Sequence, residues 1–336
     1  MNRAPILIRL SAAAIAVAGL LWNQTIYPPG DTVQLGTVPE RWITGGPKCM
    51  EVPDWQVHEY NSDFYILRES GCTHYEKPFL YLIFGKETVL LMDTGAGVND
   101  VGHIVHRTIA KWLERKQRQA IHLLVMHSHA HGDHIAGDDQ FKNKPNIKFV
   151  AAAVPELEKE FAIKPYPTGI GKIDLGSRVI DVIPIPGHED NAVALYDRQT
   201  GALLTGDNLY PGRLSVRNWS AYTASAQRLV DFTEGKVVTN VMGTHIEQMK
   251  TPFSDYPRGT LYQPEEHGLA MSRGDLLEWN DALKKANGVA TTIARRSWTV
   301  IPRLTTPTLE QVEQTRREFE EFQKKQHKAK WGSGAD

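Results

Sequence analysis

The segment HSHAHGDH, residues 127–134, holds four of the chain's 13 histidines and one aspartate in eight positions. It follows the apolar run IHLLVM, which is typical of a buried strand. Residues two apart on an extended strand point the same way, so His129 and His131 should face a common point. Asp133 and His134 follow where the chain must turn into a helix, and they can face a second point nearby. Because imidazole and carboxylate groups together suit zinc and similar divalent ions, the spacing predicts a metal site.

Further donors stand at three other predicted strand ends. His188 follows a strand and a Pro-Gly turn in PIPGHEDN, Asp207 stands at the end of the apolar strand in LLTGDNLY, and His245 has the same setting in VMGTHIE. Each has an ordinary explanation on its own, as a loop histidine, a turn cap or a half-buried imidazole. Together they complete a donor set large enough for two ions, and this combination is what the metal hypothesis depends on.

Five stretches resemble the signature motifs of the metallo-β-lactamase-fold hydrolases: VLLMDTGAG, HSHAHGDH, PGHEDN, LLTGDNLY and MGTHIE, the last of which contains His245. The resemblance implies an α/β fold, a four-layer αββα sandwich of two mixed sheets flanked by helices, here with a C-terminal helical extension. It also implies a shared two-metal site. One ion would be held by His129, His131 and His188, and the other by Asp133, His134 and His245, with Asp207 bridging. Asp93 would orient a ligand or a loop, and His127 lies outside the pattern.

Differences from the family pattern indicate which branches of the family this sequence resembles. β-Lactamases of this fold carry cysteine or serine where Asp207 stands, which disfavours antibiotic hydrolysis. The aspartate resembles the thioesterase, lactonase and phosphodiesterase branches, so a glyoxalase-II-like or lactonase-like enzyme is expected. Tyr210 occupies a position where lactonases of this fold place a tyrosine against the substrate carbonyl, although a simple packing role is equally compatible with the sequence.

The expected enzyme is a dinuclear metal-dependent hydrolase that attacks an ester, thioester or lactone carbonyl with metal-bound hydroxide. Asp133 would bind metal and position the hydroxide, and Tyr210 would donate to the oxyanion. The ions would be Zn²⁺, with iron or manganese as alternatives. Other readings are an iron-dependent thiol or persulfide dioxygenase, a phosphodiesterase, and a non-catalytic metal-stabilised module.

The expected partner is a small-molecule substrate. A formal net charge of -1 gives no basic field for nucleic acid. Substrate specificity is expected to reside in loops 208–225 and 250–270. Their candidate pocket residues are Tyr210, Arg213, Trp219, Tyr262 and His267.

The remaining pattern predicts an opening antiparallel meander over residues 55–95 and a helix over 100–117. Strands and helices then alternate, as in a layered α/β protein. Helices are also predicted over 272–286, with Ser272 as N-cap, and over 308–326. A single strand is predicted over TIARRSWTVI, residues 292–301.

The chain divides into four predicted segments. Residues 1–30 contain two arginines ahead of LSAAAIAVAGLLW and are predicted to be a signal peptide or an uncleaved N-terminal anchor, so the protein is expected to be exported. Residues 31–52 are predicted to be a linker, 53–260 the catalytic domain, and 261–336 an extension packed on it. The sequence leaves open whether Cys49 and Cys72 pair or remain reduced.

Overall fold

The computed structural model describes residues 33–46 and 49–303, together with Arg317 and Glu321. The predicted signal or anchor at 1–30 lies outside the described residues, and so does nearly all of the predicted helix at 308–326. No helix in the described part of the chain is long and apolar enough to cross a membrane.

The first sheet has six strands in the order in which they occur along the chain. The first four pair antiparallel, which confirms the predicted meander, and β5 and β6 then add in parallel. The strands are β1 (Trp55–Asn61), β2 (Phe64–Glu69), β3 (Phe79–Phe84), β4 (Thr88–Met92), β5 (His122–Met126) and β6 (Ile147–Phe149).

The second sheet has five strands in the order β12-β10-β9-β8-β7. It is also mixed, because β10 and β12 are parallel while the other pairs are antiparallel. The strands are β7 (Gly171–Asp174), β8 (Val179–Pro184), β9 (Val193–Asp197), β10 (Ala202–Gly206) and β12 (Asn240–Gly243).

Alternate side chains along each strand point to opposite faces of its sheet, and this places a core on each face. On β2, Ile66 joins the core shared by the two sheets, while Leu67 joins a separate core beneath helix α1 (Val101–Arg115). Side chains from both sheets, including Leu90 and Val182, fill the shared core. Since successive strand residues face opposite sides, each sheet can bury one face on the other and its second face under helices.

Helices cover the two outer faces, as the αββα prediction requires. Helix α1 (Val101–Arg115) buries its apolar stripe, including Ile104 and Trp112, on the first sheet. Helices α4 (Trp219–Thr233) and α5 (Arg273–Lys285) share a third core with strands of the second sheet. Ser272 caps α5 through a capping box with Asp275, which confirms the predicted N-cap. The short helices α2 (Gly132–Ile135) and α3 (Val154–Phe161) lie between β5 and β7 in the chain.

A third, small sheet was not predicted. It pairs β11 (Arg213–Val216) in parallel with β14 (Thr299–Pro302), which in turn pairs antiparallel with β13 (Ile293–Ala294). The prediction of a single strand over 292–301 is therefore wrong, because this segment forms two strands. The polar residues between Ala294 and Trp298 form the turn that separates β13 from β14, while the Trp298 ring is fully buried.

Part of the segment predicted as a linker packs on the first sheet. Trp42 is buried and meets Phe79 edge-on at a centroid distance of 4.9 Å. Beyond it, Cys49 and Cys72 form a disulfide, which resolves the alternatives left open by the sequence. The disulfide connects the start of the domain to the loop between β2 and β3.

Candidate metal centre

The predicted donors meet at one edge of the sandwich, because the strands that carry them end there. The 127–134 segment follows β5, Asp207 follows β10, and His245 lies two residues beyond β12. His188 follows a turn at Gly187, whose φ of +141° and close approach to the backbone of Tyr222 leave no room for a side chain.

The first donor group, named here site 1, consists of His129, His131, His188 and Asp207. Its inner nitrogens lie close together: His131 Nδ1 is 2.9 Å from His129 Nε2 and 3.0 Å from His188 Nε2. The Oδ2 atom of Asp207 is 3.8 Å from His129 Nε2 and 3.5 Å from His188 Nε2.

The second donor group, named here site 2, consists of Asp133, His134, His245 and the same Asp207. His245 Nε2 is 3.3 Å from Asp133 Oδ2, 3.3 Å from Asp207 Oδ1 and 3.4 Å from His134 Nε2. A tetrahedral zinc ion bound at about 2.0–2.1 Å keeps its ligand atoms roughly 3.3–3.4 Å apart. The donor spacing of site 2 therefore fits such an ion, and Asp207 turns one carboxylate oxygen towards each site.

In each of the five histidines, one ring nitrogen faces the donor group (the inner nitrogen) and the other faces away from it (the outer nitrogen). The partners of the outer nitrogens fix the tautomers of the rings. Acceptor-only groups face three of them: Glu189 Oε1 lies 2.9 Å from His131 Nε2, the Ser215 carbonyl 2.7 Å from His188 Nδ1, and the Glu76 carbonyl 3.0 Å from His245 Nδ1. A carboxylate or carbonyl can only accept, so each of these ring nitrogens must donate.

Asp93 fixes the remaining two rings. It accepts from His134 Nδ1 at 3.0 Å and from the Ser128 hydroxyl at 2.8 Å. Because that hydroxyl donates to Asp93, it accepts from His129 Nδ1 at 3.1 Å. In every histidine of the two sites the outer nitrogen carries the hydrogen, and the inner nitrogen can offer its lone pair to an ion.

The two sites differ in electrostatics. Burial, reinforced by the neighbouring His134, lowers the pKa of His129 well below its ordinary value, and burial lowers the pKa of His188 to about 4. Burial has the same tendency at site 2, but Asp133 and Asp207 overcome it. They raise the pKa of His134 well above its ordinary value and the pKa of His245 to about 9. His129 and His188 are thus neutral near pH 7, whereas His134 and His245 hold protons that a bound cation would displace.

His127, the first histidine of the segment, contributes no atom to either donor group. It is buried, and its Nε2 lies 2.8 Å from Asp138 Oδ1. The sequence placed it outside the ligand pattern, and its pairing with Asp138 explains how this buried imidazole is accommodated.

Tyr210 lies beside site 2, but its hydroxyl faces other groups. The ring packs against His245 at a centroid distance of 5.4 Å. The hydroxyl donates to the carbonyl of Arg213 at 2.7 Å and lies 3.2 Å from Glu247. As an oxyanion donor, Tyr210 would have to give up its bond to Arg213, so this arrangement corresponds to the packing alternative.

A cleft of about 400 Å³ opens beside Asp133. Its walls come from the loop after β2 and the loop after β4, with the start of α2 as its third side. The lining residues are His74, Tyr75, Glu76, Gly97, Val98, Gly132, Asp133 and Ala136.

None of the five pocket residues proposed from loops 208–225 and 250–270 lines this cleft in the described part of the chain. Arg213 instead pairs with Glu247 at 2.7 Å, and Tyr262 and His267 line a separate pocket of about 150 Å³. Sequence reasoning missed the β2–β3 loop because its histidine and glutamate stand outside every recognised motif. It also passed over Glu189, which directly follows His188 in PGHEDN.

Comparison with known proteins agrees with this geometry. The profile of the Metallo-beta-lactamase superfamily matches residues 78–240. The human acyl-coenzyme A thioesterase MBLAC2 is 23% identical over 233 residues, 58% of this chain and 83% of the relative. The Gallus gallus protein of the same name is 23% identical over 229 residues, covering 58% of this chain and 82% of the relative.

The solved structures are less similar to this chain in sequence. A metallo-beta-lactamase from Pontibacter korlensis is 17% identical, with a TM-score of 0.46 over 68% of this chain and 99% of that one. The DIM-1 metallo-beta-lactamase is 14% identical, with a TM-score of 0.45 over 70% of this chain and 98% of that one. The profile match at residues 78–240 covers six of the seven donors, all except His245. Residues 78–240 form a metallo-beta-lactamase superfamily domain, and the chain is a hydrolase built on this fold.

Proposed function

We propose that the protein is a dinuclear metal-dependent hydrolase of acyl thioesters, with esters and lactones as related substrates. The observation that carries this proposal is the position of Asp207, whose two carboxylate oxygens each belong to a different donor group. A structural zinc site closes four ligands around one ion, often with cysteine. A carboxylate shared between two His/Asp groups is instead the arrangement used by two-metal hydrolases.

The seven donors are proposed to hold two divalent ions, with zinc favoured by the nitrogen and oxygen ligands and the spacing at site 2. Bound ions would supply an activated water and a Lewis acid for the substrate carbonyl. The chain itself contributes orientation. Asp133 is both a donor of site 2 and a wall of the cleft, so its carboxylate can accept a hydrogen bond from a water between ions and substrate.

An exposed arginine next to the cleft wall favours a substrate with an anionic portion. Arg258 is highly exposed, with 78% of its side chain accessible, and its Nη2 lies 3.5 Å from Glu76 Oε1 in the cleft wall. An exposed guanidinium there can pair with a phosphate of a coenzyme A thioester, the substrate class named for the human relative. Because Tyr210 keeps its hydroxyl bonded elsewhere, nothing comparable favours lactones.

The alternative of an iron-dependent dioxygenase receives less support. The persulfide dioxygenases of this superfamily tend to lack the full second donor set, whereas all four donors of site 2 converge here. Oxygen consumption with a thiol substrate would favour this alternative over hydrolysis.

The proposal is tested with zinc-loaded protein and a panel of acyl-coenzyme A thioesters, neutral acyl thioesters, lactones and phosphodiesters. We expect thioesters to be hydrolysed fastest. His129→Ala should abolish the activity, whereas His103→Ala, which changes an exposed histidine outside both sites, should leave it intact. Equal activity of the two variants would reject the proposal.

The role of Arg258 has its own test. We expect Arg258→Gln to raise KM for coenzyme A thioesters without changing kcat or the kinetics of a neutral thioester. Equal KM changes for charged and neutral substrates would contradict a role in anion recognition.

We also propose that the protein is exported. The disulfide between Cys49 and Cys72 supports an oxidising compartment, where such bonds persist. Fusion of residues 1–32 to a reporter that is active only after export would test this proposal, and retention of the reporter inside the cell would contradict it.

A further inference from the structure

The outer nitrogens of His131 and His188 bond to two different residues, and Arg303 contacts both of these residues. His131 Nε2 lies 2.9 Å from Glu189 Oε1, and the other oxygen of this carboxylate lies 2.8 Å from Arg217 Nη1. Arg303 Nη1 approaches Glu189 Oε1 at 3.9 Å. The carboxylate is thus held between the histidine and two guanidinium groups.

The second connection runs through the small third sheet. His188 Nδ1 donates to the Ser215 carbonyl at 2.7 Å, and Arg303 Nε donates to the Ser215 hydroxyl at 2.6 Å. The backbone N–H of Arg303 also donates to the Val216 carbonyl at 2.7 Å, extending the parallel pairing of β11 with β14. A residue near the end of the described chain therefore contacts the supports of both His131 and His188.

We propose that Glu189 and Arg303 are positioning residues for site 1, which fix the orientation and tautomer of His131 and His188. The proposal rests on the metal-binding function proposed above. A carboxylate on the outer nitrogen keeps the hydrogen at Nε2 of His131 and leaves Nδ1 free for an ion. Arg303 in turn restrains Glu189 and the β11 residue whose carbonyl holds His188.

Because these groups are partly exposed, their effect on the histidine ligands can be measured separately from their contribution to folding stability. The side chains of Arg217 and Arg303 are 50% and 37% exposed, respectively, while Glu189 is 16% exposed. Ion pairs of exposed arginines contribute little to folding stability. Loss of Glu189 should therefore affect the histidine ligand far more than it affects the fold.

The test titrates Co²⁺ into metal-free protein and follows its visible absorption. A His245→Ala background removes a donor of site 2 only, so that the titration reports site 1. In this background we compare Glu189→Ala, Glu189→Gln and Arg303→Gln with two controls. Asp190→Ala removes the neighbouring exposed carboxylate, and Arg295→Gln removes an arginine from the turn of the same small sheet.

We expect Glu189→Ala to weaken Co²⁺ binding about 10–100-fold and to change the absorption spectrum, in line with the loss of other partners of metal ligands. Glu189→Gln retains an acceptor without its charge and should give an intermediate loss. Arg303→Gln should give a loss of a few fold, and the controls should give none. Unfolding temperatures of the metal-free variants should match those of their controls.

Two outcomes would overturn the inference. If the protein binds two ions and hydrolyses thioesters, but both Glu189 variants titrate like Asp190→Ala, the positioning role is wrong and the proposed function stands. If the unmodified protein binds no Co²⁺ at either site, the inference and the proposed function both fail. The near-isosteric Glu189→Gln keeps the test decisive should the alanine variant fold poorly.

Discussion

Sites 1 and 2 share Asp207 and lie side by side, yet they are supported in different ways. Site 1 has three histidines, and its supports include the charged pair of Glu189 and Arg303 together with a carbonyl of the small third sheet. Site 2 adds a second carboxylate, and His134 is held by Asp93, which is fully buried. The side chain of His131 is 30% exposed, whereas that of His134 is not exposed at all.

The comparison shows how one fold builds two kinds of ligand environment. In site 1, His131 and His188 depend on Glu189 and on the small third sheet, and the buried His129 and His188 are already neutral near pH 7. In site 2, His134 is held by the buried Asp93, and the carboxylates of Asp133 and Asp207 hold protons on His134 and His245. The sites should therefore respond differently to substitution, pH and reduction, and the following predictions address that difference.

The largest effect is expected for Asp207→Ala, because this side chain supplies a donor to both sites. Activity should fall by about 10³-fold or more, as for other groups that act as one catalytic unit. The bound metal should drop below one ion per chain, measured by elemental analysis after gel filtration. A variant that keeps two tightly bound ions would show that the carboxylate is not shared.

The second prediction concerns pH. Since Asp133 and Asp207 raise the pKa of His245 to about 9 and that of His134 well above its ordinary value, an ion entering site 2 should displace up to about two protons below pH 8. Rising pH removes these competing protons, so affinity at site 2 should increase by up to about 100-fold per pH unit.

Site 1 should respond less steeply, because the low pKa values of His129 and His188 leave no proton on these rings to displace near pH 7. Calorimetric titration in buffers of different ionisation enthalpy measures the protons released at each step. Equal release at both steps would contradict the electrostatic difference between the sites.

The third prediction tests the buried support of site 2. Asp93→Ala removes the acceptor of His134 Nδ1 and should weaken the ion at site 2 about 10–100-fold. Site 1 should weaken less, because His129 contacts Asp93 only through Ser128. Asp93→Asn retains an acceptor and should be milder. Equal losses at both sites, measured by competition with a chromophoric chelator, would argue that Asp93 supports the whole edge rather than one ligand.

The smallest effect on the metal sites is expected from the disulfide. Cys49→Ser with Cys72→Ser frees the loop that carries Glu76, whose carbonyl holds His245 and whose side chain lines the cleft. The free energy of unfolding should fall by roughly 2–4 kcal/mol. KM should rise a few fold, while affinity at site 1 stays unchanged. An unchanged KM together with the stability loss would limit the disulfide to a purely structural role.

The convergence of the seven donor residues could be predicted from sequence because they stand next to strand ends in a recognisable order. The meander, helix α1 and the N-cap of α5 followed from local periodicity and capping chemistry. In each of these cases, the signal lies within a short stretch of chain.

The supports of the sites could not be predicted in this way. Arg303 reaches Ser215 only because β14 pairs with β11 across more than 80 residues of sequence, and two short strands give little local signal. The direction of the Tyr210 hydroxyl depends on Glu247 and on the path of the chain around Arg213. These contacts are consequences of tertiary packing, which periodicity does not contain.

The most direct test of the central claim is a crystal structure of the zinc-loaded protein, with anomalous diffraction recorded at the zinc edge. We predict two peaks about 3.5–4 Å apart. One should lie among the site 1 histidines and the other among the site 2 donors, with one Asp207 oxygen on each. A single peak, or ions held by other side chains, would contradict the account.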